Sequence, residues 1–357
     1  MYEIAEAFCL SGVPVGYARY GNGHINETYR LQTDEPHEYI LQRLNTQVFP
    51  DPEGLMRNVE AVTTHLRRSC GDARRVLTLV PAKNGKVFHR APDGAYWRIF
   101  EFISDSICLE QVQQPEDMRQ CGVAFGEFQR QLATFPAETL TEILPGFHDT
   151  PDRYRQLRQA VKEDRAGRLR EVRAELDEYL AREAAANGLM SLHRAGVLPT
   201  RVTHNDTKLN NIMLDAATRT ALCVIDLDTV MPGLAANDFG DAIRFGANTA
   251  LEDERDLSKV GLSLPYYEAF AEGFLGACGD SLTEAEIESL PLGARLMTLE
   301  CGVRFLADYL NGDVYFHTSR PEQNLDRART QLRLVQDMER KWNDMLWITV
   351  HARRLTT

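Results

Sequence analysis

The chain has 357 residues, 43% hydrophobic and 26% charged, which is enough to bury a core in two domains or lobes. Its net charge of −12, with both signs interspersed, argues against a basic stripe for nucleic acid and against a polybasic membrane anchor. The acidic start from Met1 to Glu6 is unlike a signal peptide, no apolar run reaches membrane-spanning length, and the seven cysteines are scattered singly. A cytoplasmic protein with reduced thiols, no structural zinc, and no nucleic-acid or membrane partner is therefore expected.

In chain order, strand and turn patterns dominate the first hundred residues. Ala18 to Leu31 reads as a β-hairpin whose tip carries Gly21, Gly23 and His24. Asn26 stands where a phosphate-covering G-x-G-x-x-G loop would place its third glycine. Asn tolerates left-handed backbone next best after glycine, although the same tip also suits a plain turn. In the next strand, Tyr39 to Leu44, aligning Tyr-Ile-Leu-Gln with V-A-I-K puts Gln42 where a phosphate-pairing lysine is expected. The first lysine of the chain is Lys83, so no shift of register supplies one. Strand alternation turns Gln42, and not Arg43, toward the phosphates. Pro52 to Ser69 follows as a helix with Leu55, Met56, Val59, Val62 and Leu66 on one stripe. Glu60 beside it is either a phosphate- or metal-side acid or a surface one. Further strands are expected around Val76 to Val80 and Trp97 to Ile103. The second would present the backbone of Glu101, Phe102 and Ile103 to an adenine ring.

After Ser104 the pattern turns helical, over Pro115 to Ala133, Pro151 to His193, Tyr266 to Gly276, Ala285 to Leu310 and Arg320 to Arg354. The layout is α+β, with a small β-rich N-lobe at 1–104 and a large, mainly helical C-lobe at 105–357. Within the latter, Val202 to Asp215 places His204, Asp206, Lys208 and Asn211 at set intervals. Five positions separate Asp206 from Asn211, as in the kinase catalytic loop H-R-D-x-x-x-x-N. Phosphoryl transfer asks for positioning and charge stabilisation more than covalent work. Asp206 would orient the attacking hydroxyl, Lys208 would neutralise charge on the γ-phosphate of ATP, and Asn211 and Asp226 would hold Mg²⁺. The runs Asn211 to Leu214 and Ala221 to Ile225 form a hairpin that brings the two metal ligands together. Asp228, on the same strand face as Asp226, is either a second ligand or a solvated strand end. His204 is expected to position the loop through backbone hydrogen bonds, and Asp238 to brace it or to cap the next helix. Asn205 precedes the catalytic Asp where protein kinases carry Arg, and no Ala-Pro-Glu follows. Both absences point away from a protein substrate.

The order of these pieces resembles the aminoglycoside phosphotransferase and choline kinase superfamily, the small-molecule branch of the protein-kinase-like fold. Tyr20-Gly-Asn-Gly-His-Ile-Asn, Tyr39-Ile-Leu-Gln, Phe49-Pro-Asp, Phe147-His-Asp-Thr-Pro151, His204-Asn-Asp-Thr-Lys-Leu-Asn-Asn, Ile225-Asp-Leu-Asp-Thr and Arg304-Phe-Leu-Ala-Asp-Tyr-Leu310 together are similar to bacterial N-acetylhexosamine 1-kinases. In that family Gln replaces the strand lysine. The resemblance implies ATP- and Mg²⁺-dependent phosphorylation of the anomeric hydroxyl of N-acetylglucosamine or N-acetylgalactosamine. Asp206 would meet the O1 proton, and Lys208 and the Gly21–Gly23 loop the phosphates. Arg304, Asp308, Tyr315 and His24 are candidates for the sugar. Arg304 and Asp308, four apart on one helix, also suit a plain ion pair; Tyr315 also suits packing, His24 a solvent-exposed turn. Phe147 to Asp149 is unassigned. Two other readings stand beside this one: a kinase of the same superfamily acting on an amino alcohol, homoserine or an aminoglycoside, and a nucleotide-binding pseudokinase.

Overall fold

The computed structural model describes the whole chain except Asn22, His24 and 355–357, and except the side chain of Arg354. It forms two compact units. The first comprises Met1–Cys108, Thr134–Pro145 and Ile212–Pro232, and the second Leu109–Ala133, Gly146–Asn211 and Gly233–Thr357. The first unit is thus not the contiguous 1–104 expected from sequence. It recruits two later pieces, the second of which, Ile212–Pro232, adds a hairpin.

The first unit is built on an antiparallel sheet of β1 (Pro14–Arg19), β2 (Glu27–Thr33), β3 (Glu38–Arg43), β4 (Leu79–Val80), β5 (His89–Arg90) and β6 (Tyr96–Glu101), in the order β1-β2-β3-β6-β4, with β5 also on β6. Alternation in β3 buries Tyr39 and Leu41, which join Leu31, Trp97 and Ile99 in one apolar cluster. The strand expected over Val76 to Val80 shrinks to β4. Arg67 Nη2 donates to the carbonyls of Val76 and Leu77 at 3.4 and 3.1 Å, so these acceptors serve a side chain instead of a ladder. The helix Pro52–Arg68 starts where Asp51 accepts from the Gly54 N–H at 2.8 Å and Pro52 fills the first turn. A smaller sheet pairs Ile212–Asp215 with Ala221–Val224 and with Ser106–Ile107.

In the second unit the expected helices appear with two corrections. The stretch from 151 to 193 breaks into Thr150–Glu163, Arg173–Leu180 and Gly188–Arg194, because Asp164 (φ 37°) and Gly167 (φ 68°) turn left-handed. The stretch from 320 divides into Gln323–Arg340 and Trp342–Arg354. The long helix Glu284–Asn311 begins with a Thr283/Glu286 capping box and ends at Gly312, φ 95°. It meets the helix Ala235–Gly246 at two glycines. A Cβ on Gly240 would stand 2.4 Å from the Gly293 carbonyl oxygen, and one on Gly293 would stand 2.1 Å from that of Ala236. Only hydrogen fits there, and the close crossing fixes Asp241 on one helix relative to Glu300 and Arg304 on the other. The antiparallel-sheet lobe and the helical lobe are those of the protein-kinase-like fold.

Candidate active site

The catalytic segment in the second unit is held from beneath. Asp238, 1% exposed, accepts from the backbone N–H of His204 at 2.9 Å, from that of Asn205 at 2.8 Å and from Gln129 Nε2 at 2.9 Å. Burial pushes its carboxyl above the ordinary range, against the pull of these donors. Asp238 therefore braces the loop. His204 is fully buried, edge-on to Phe125 and Phe128, and its Nδ1 accepts the Asp206 N–H at 3.3 Å. Asn205 takes φ 63°, a left-handed turn that Asn tolerates and that the two amide bonds to Asp238 fix.

Above this brace the expected residues converge. Lys208 Nζ lies 2.7 Å from Asp206 Oδ1, and Asn211 Nδ2 donates to Asp206 Oδ2 at 2.9 Å and to its carbonyl at 2.8 Å. Burial opposes charge on Lys208, yet Asp206 outweighs it and holds the ammonium above its ordinary value. The Asp206 carboxylate is thus oriented by both neighbours. The Asn211 amide oxygen takes no hydrogen bond among the described residues and is a hard donor of the kind Mg²⁺ binds. Asp241, which the sequence reading left without a role, accepts the Thr207 N–H at 3.1 Å and pairs with Arg244 Nε at 2.9 Å. Burial raises its carboxyl, but Arg244, Lys208 and His148 together bring it below the usual range.

The other candidates of this unit separate into an open group and a sealed one. Arg304 is half-buried, its guanidinium 5.4, 5.7 and 5.2 Å from the ring centres of Phe147, Tyr315 and Phe316. It makes no hydrogen bond among the described residues, and Tyr315 is 65% exposed. Asp308 is not its ion-pair partner. Asp308 Oδ1 accepts the N–H groups of Val314 and Tyr315 at 3.0 and 2.9 Å, and Oδ2 accepts those of Phe316 and Asn324 at 3.0 and 2.9 Å. Both oxygens are committed, so Asp308 holds the loop that presents Tyr315 and Phe316 to Arg304. The unassigned Phe147 to Asp149 belongs here too. His148 Nδ1 lies 2.9 Å from Glu300 Oε1, and Thr150 donates to Glu300 Oε2 at 2.7 Å. Arg153 Nη2 donates to the Phe147 carbonyl at 2.7 Å, while its buried Nε has no partner among the described residues. Burial, and then the charge of Arg304, lower the Arg153 guanidinium below its ordinary value.

In the first unit, Gly21 takes φ 73° at the hairpin tip, closed by the Tyr20 N–H on the Thr28 carbonyl at 3.0 Å. His24 lies outside the described residues. Asn26 is not left-handed. Its side chain is an anchor, Nδ2 donating to Asp228 Oδ2 at 2.5 Å and Oδ1 accepting the Asn45 N–H at 3.0 Å. Gln42 is engaged within the sheet: Nε2 donates to Thr28 Oγ1 at 3.0 Å and Oε1 accepts from Arg98 Nε at 2.9 Å. Asp228 is neither solvated nor open to a metal. It is 3% exposed and paired with Arg98 Nη1 at 2.5 Å. Asp226, two residues earlier, is exposed at φ 58°, and its carboxylate suits Mg²⁺. The N–H groups of Glu101 and Phe102 bond the carbonyls of Thr78 and Glu38, whereas that of Ile103 bonds no backbone acceptor among the described residues. Glu60 is exposed.

Sequence reasoning missed Arg98, Asp241, Glu300 and Arg153. Arg98 stands in an otherwise apolar strand, Trp97-Arg-Ile-Phe100, and an unneutralised cation in such a run is the signal for a buried partner.

The family model described as "Phosphotransferase enzyme family" matches residues 16–272. Among solved structures, a microcompartment-associated aminopropanol kinase is 17% identical, with TM-score 0.59 over 97% of both chains. An amicoumacin kinase in complex with AMP-PNP, Ca²⁺ and Ami is 13% identical, with TM-score 0.60 over 93% of this chain and 91% of that one. An ethanolamine kinase of Plasmodium vivax is 14% identical, with TM-score 0.54 over 88% and 82%.

Proposed function

The chain belongs to the phosphotransferase enzyme family, as a small-molecule kinase of the aminoglycoside phosphotransferase and choline kinase superfamily, and we propose that it transfers the γ-phosphate of ATP to the anomeric hydroxyl of an N-acetylhexosamine. One observation carries the choice of acceptor. Arg304, ringed by Phe147, Tyr315 and Phe316, has no hydrogen-bond partner among the described residues, and a second guanidinium, that of Arg153, donates to the carbonyl of the same Phe147 whose ring Arg304 faces. An ammonium acceptor would meet like charge there, which disfavours it. Sugar hydroxyls and an acetamide carbonyl would instead accept from the guanidinium fork, and pyranose C–H faces would lie on the aromatic rings. The names of the aminopropanol and ethanolamine kinases describe cationic acceptors, and the paired guanidiniums speak against carrying that chemistry over. The anomeric position rests on the motif resemblance along nearly the whole chain.

In this reading O1 of the sugar attacks the γ-phosphorus. The O1–P bond forms, the bond to the bridging oxygen breaks, ADP leaves, and the O1 proton passes to Asp206. The pairing with Lys208 and Asn211 holds that carboxylate in one orientation. Lys208 meets charge on the transferring group, the Ile103 N–H and the Glu101 and Phe102 backbone take adenine, and the Gly21–Gly23 tip covers the phosphates. Bound magnesium would neutralise phosphate charge, with the Asn211 amide oxygen and the Asp226 carboxylate as its protein ligands.

The test is a panel of hexosamines, hexoses, amino alcohols, homoserine and aminoglycosides with ATP and Mg²⁺, the product's phosphorus coupling being read by NMR. Phosphorus coupled to the anomeric proton of an N-acetylhexosamine is expected. Turnover confined to ammonium acceptors would overturn the assignment.

A further inference from the structure

We propose that Arg98 and Asp228 form a positioning pair that stands in for the missing strand lysine, fixing the phosphate loop and the metal-binding acid from within the sheet without touching the nucleotide. This inference rests on the phosphotransfer reading above. Arg98 is 1% exposed and Asp228 3%, so neither reaches a ligand directly. Arg98 sits in β6 directly across from Gln42 in β3, the position aligned with the lysine. It donates to Gln42 Oε1 at 2.9 Å and pairs with Asp228 at 2.5 Å, and its guanidinium lies 5.0 Å from the Phe100 ring centre. Gln42 passes the connection to Thr28 at the exit of the hairpin tip. Asp228 uses its second oxygen on Asn26, which in turn receives the Asn45 N–H. A single chain of bonds therefore ties the loop exit, both central strands and the segment of Asp226.

Asp226 adds an independent reason to look for a holding device. It is a non-glycine residue at φ 58°, ψ 60°, a conformation that L side chains rarely keep unaided. Asp228, two residues on and anchored in the sheet, prevents that turn from relaxing. In a kinase with a strand lysine, charge reaches the phosphates from the strand itself. Here the cation is turned inward, and its effect is exerted through the placement of Asn26 and Asp226.

The test separates positioning from packing. Replacing both partners by apolar residues of similar size, Arg98→Met with Asp228→Leu, removes the pair without leaving one charge buried, a change that proteins often tolerate. The full chain is measured for melting temperature, for Mg²⁺–ATP affinity by calorimetry, for the Mg²⁺ midpoint of nucleotide binding and for kcat. The double variant is expected to melt near wild type while Mg²⁺–ATP binds about tenfold more weakly, the Mg²⁺ midpoint rises and kcat falls by about tenfold or more. Wild-type affinity, midpoint and kcat in the folded double variant would reduce the pair to packing. Should that variant not fold, Asn26→Ala decides. It leaves Arg98 and Asp228 paired and cuts the link from Asp228 to the loop, along with the bond Asn26 accepts from the Asn45 N–H. Weaker Mg²⁺–ATP binding in a chain that still melts cooperatively is expected, whereas unchanged binding overturns the proposal. The nucleotide readouts need no acceptor, so failure of the sugar assignment remains distinguishable from failure of this one.

Discussion

Arg98 and Arg304 are the same chemical group in opposite circumstances. Arg98, in the first unit, is removed from solvent, and its donors find a carboxylate and an amide. Arg304, in the second, is half-buried among three aromatic rings and donates to nothing among the described residues. Each cation–ring contact of the kind around Arg304 contributes about 0.5–1 kcal/mol when partly exposed, and none of them satisfies an N–H. Removing one partner of a buried pair such as Arg98–Asp228 costs about 3–5 kcal/mol, because the other charge is stranded. The difference teaches how to read a cation in a fold. One with its donors met serves the scaffold, and one with planes around it and donors unmet is kept for a ligand. Asp308 supports this division, since its two oxygens, taken by four N–H donors, build the loop that leaves Arg304 open.

The largest effect expected from this division lies at the base. Asp206→Asn keeps the shape and the bond from Asn211 but removes the proton acceptor, so kcat should fall by about 10²–10⁴ with Mg²⁺–ATP affinity held within about twofold. Rapid-quench turnover and calorimetry on the same preparation check it, and near-normal kcat would break the assignment of chemistry to the second unit. Arg304→Ala comes next. Losing hydrogen bonds from a charged donor should raise the acceptor KM by about 10–100-fold with little change in the KM for ATP. Lysine at this position restores charge without the planar fork and should recover only part of the loss. Equal rises in both KM values would mean that Arg304 serves the scaffold as Arg98 does, and the contrast would collapse.

The sequence made the catalytic segment legible because its information is local. His204, Asp206, Lys208 and Asn211 lie within one loop, and their spacing survives into geometry, with Lys208 and Asn211 at 2.7 and 2.9 Å from the Asp206 carboxylate and His204 at 3.3 Å from the Asp206 N–H. The hairpin that follows was equally plain, since a two-residue period and a turn determine it. What escaped was set by distant partners. Asp228 reads from sequence as either a second metal ligand or a solvated strand end, and only Arg98, 130 positions away, shows that it is neither. Asn26 looked like a substitute glycine, yet its function lies in the side chain and its partner is 202 positions away. Asp308 carried the periodicity of an ordinary helix acid, and nothing in that spacing announces a bond to a loop beyond the helix end. The broken helix between 151 and 193 was overrun for another reason. The charge-laden stretch from Lys162 to Arg182 reads as the solvated face of a continuing helix, but the turn chemistry of Asp164 and Gly167 outweighs that pattern.

The smallest effect concerns the acid at the back of the open group. Glu300 is 2% exposed; burial raises its carboxyl, but the His148 contact, the charge of Arg304 and the Thr150 hydroxyl bring it below the ordinary 4.5. A depressed carboxyl binds fewer protons folded than unfolded at acid pH. Its contribution to stability is therefore complete above about pH 4.5 and is lost as pH falls through the folded value, about 1.4 kcal/mol for each unit of depression. Asp241, also depressed, acts in the same sense, while Asp238, raised by burial, loses stability as pH rises through the acid range. The slope of the whole protein mixes these, so the informative quantity is a difference. Glu300→Gln keeps the acceptor for Thr150 and removes the titration, and its melting temperature should decline less steeply than wild type between about pH 5 and 3. Parallel curves would show that Glu300 does not titrate against the charge of Arg304, and would remove one of the charges from the open side of the comparison.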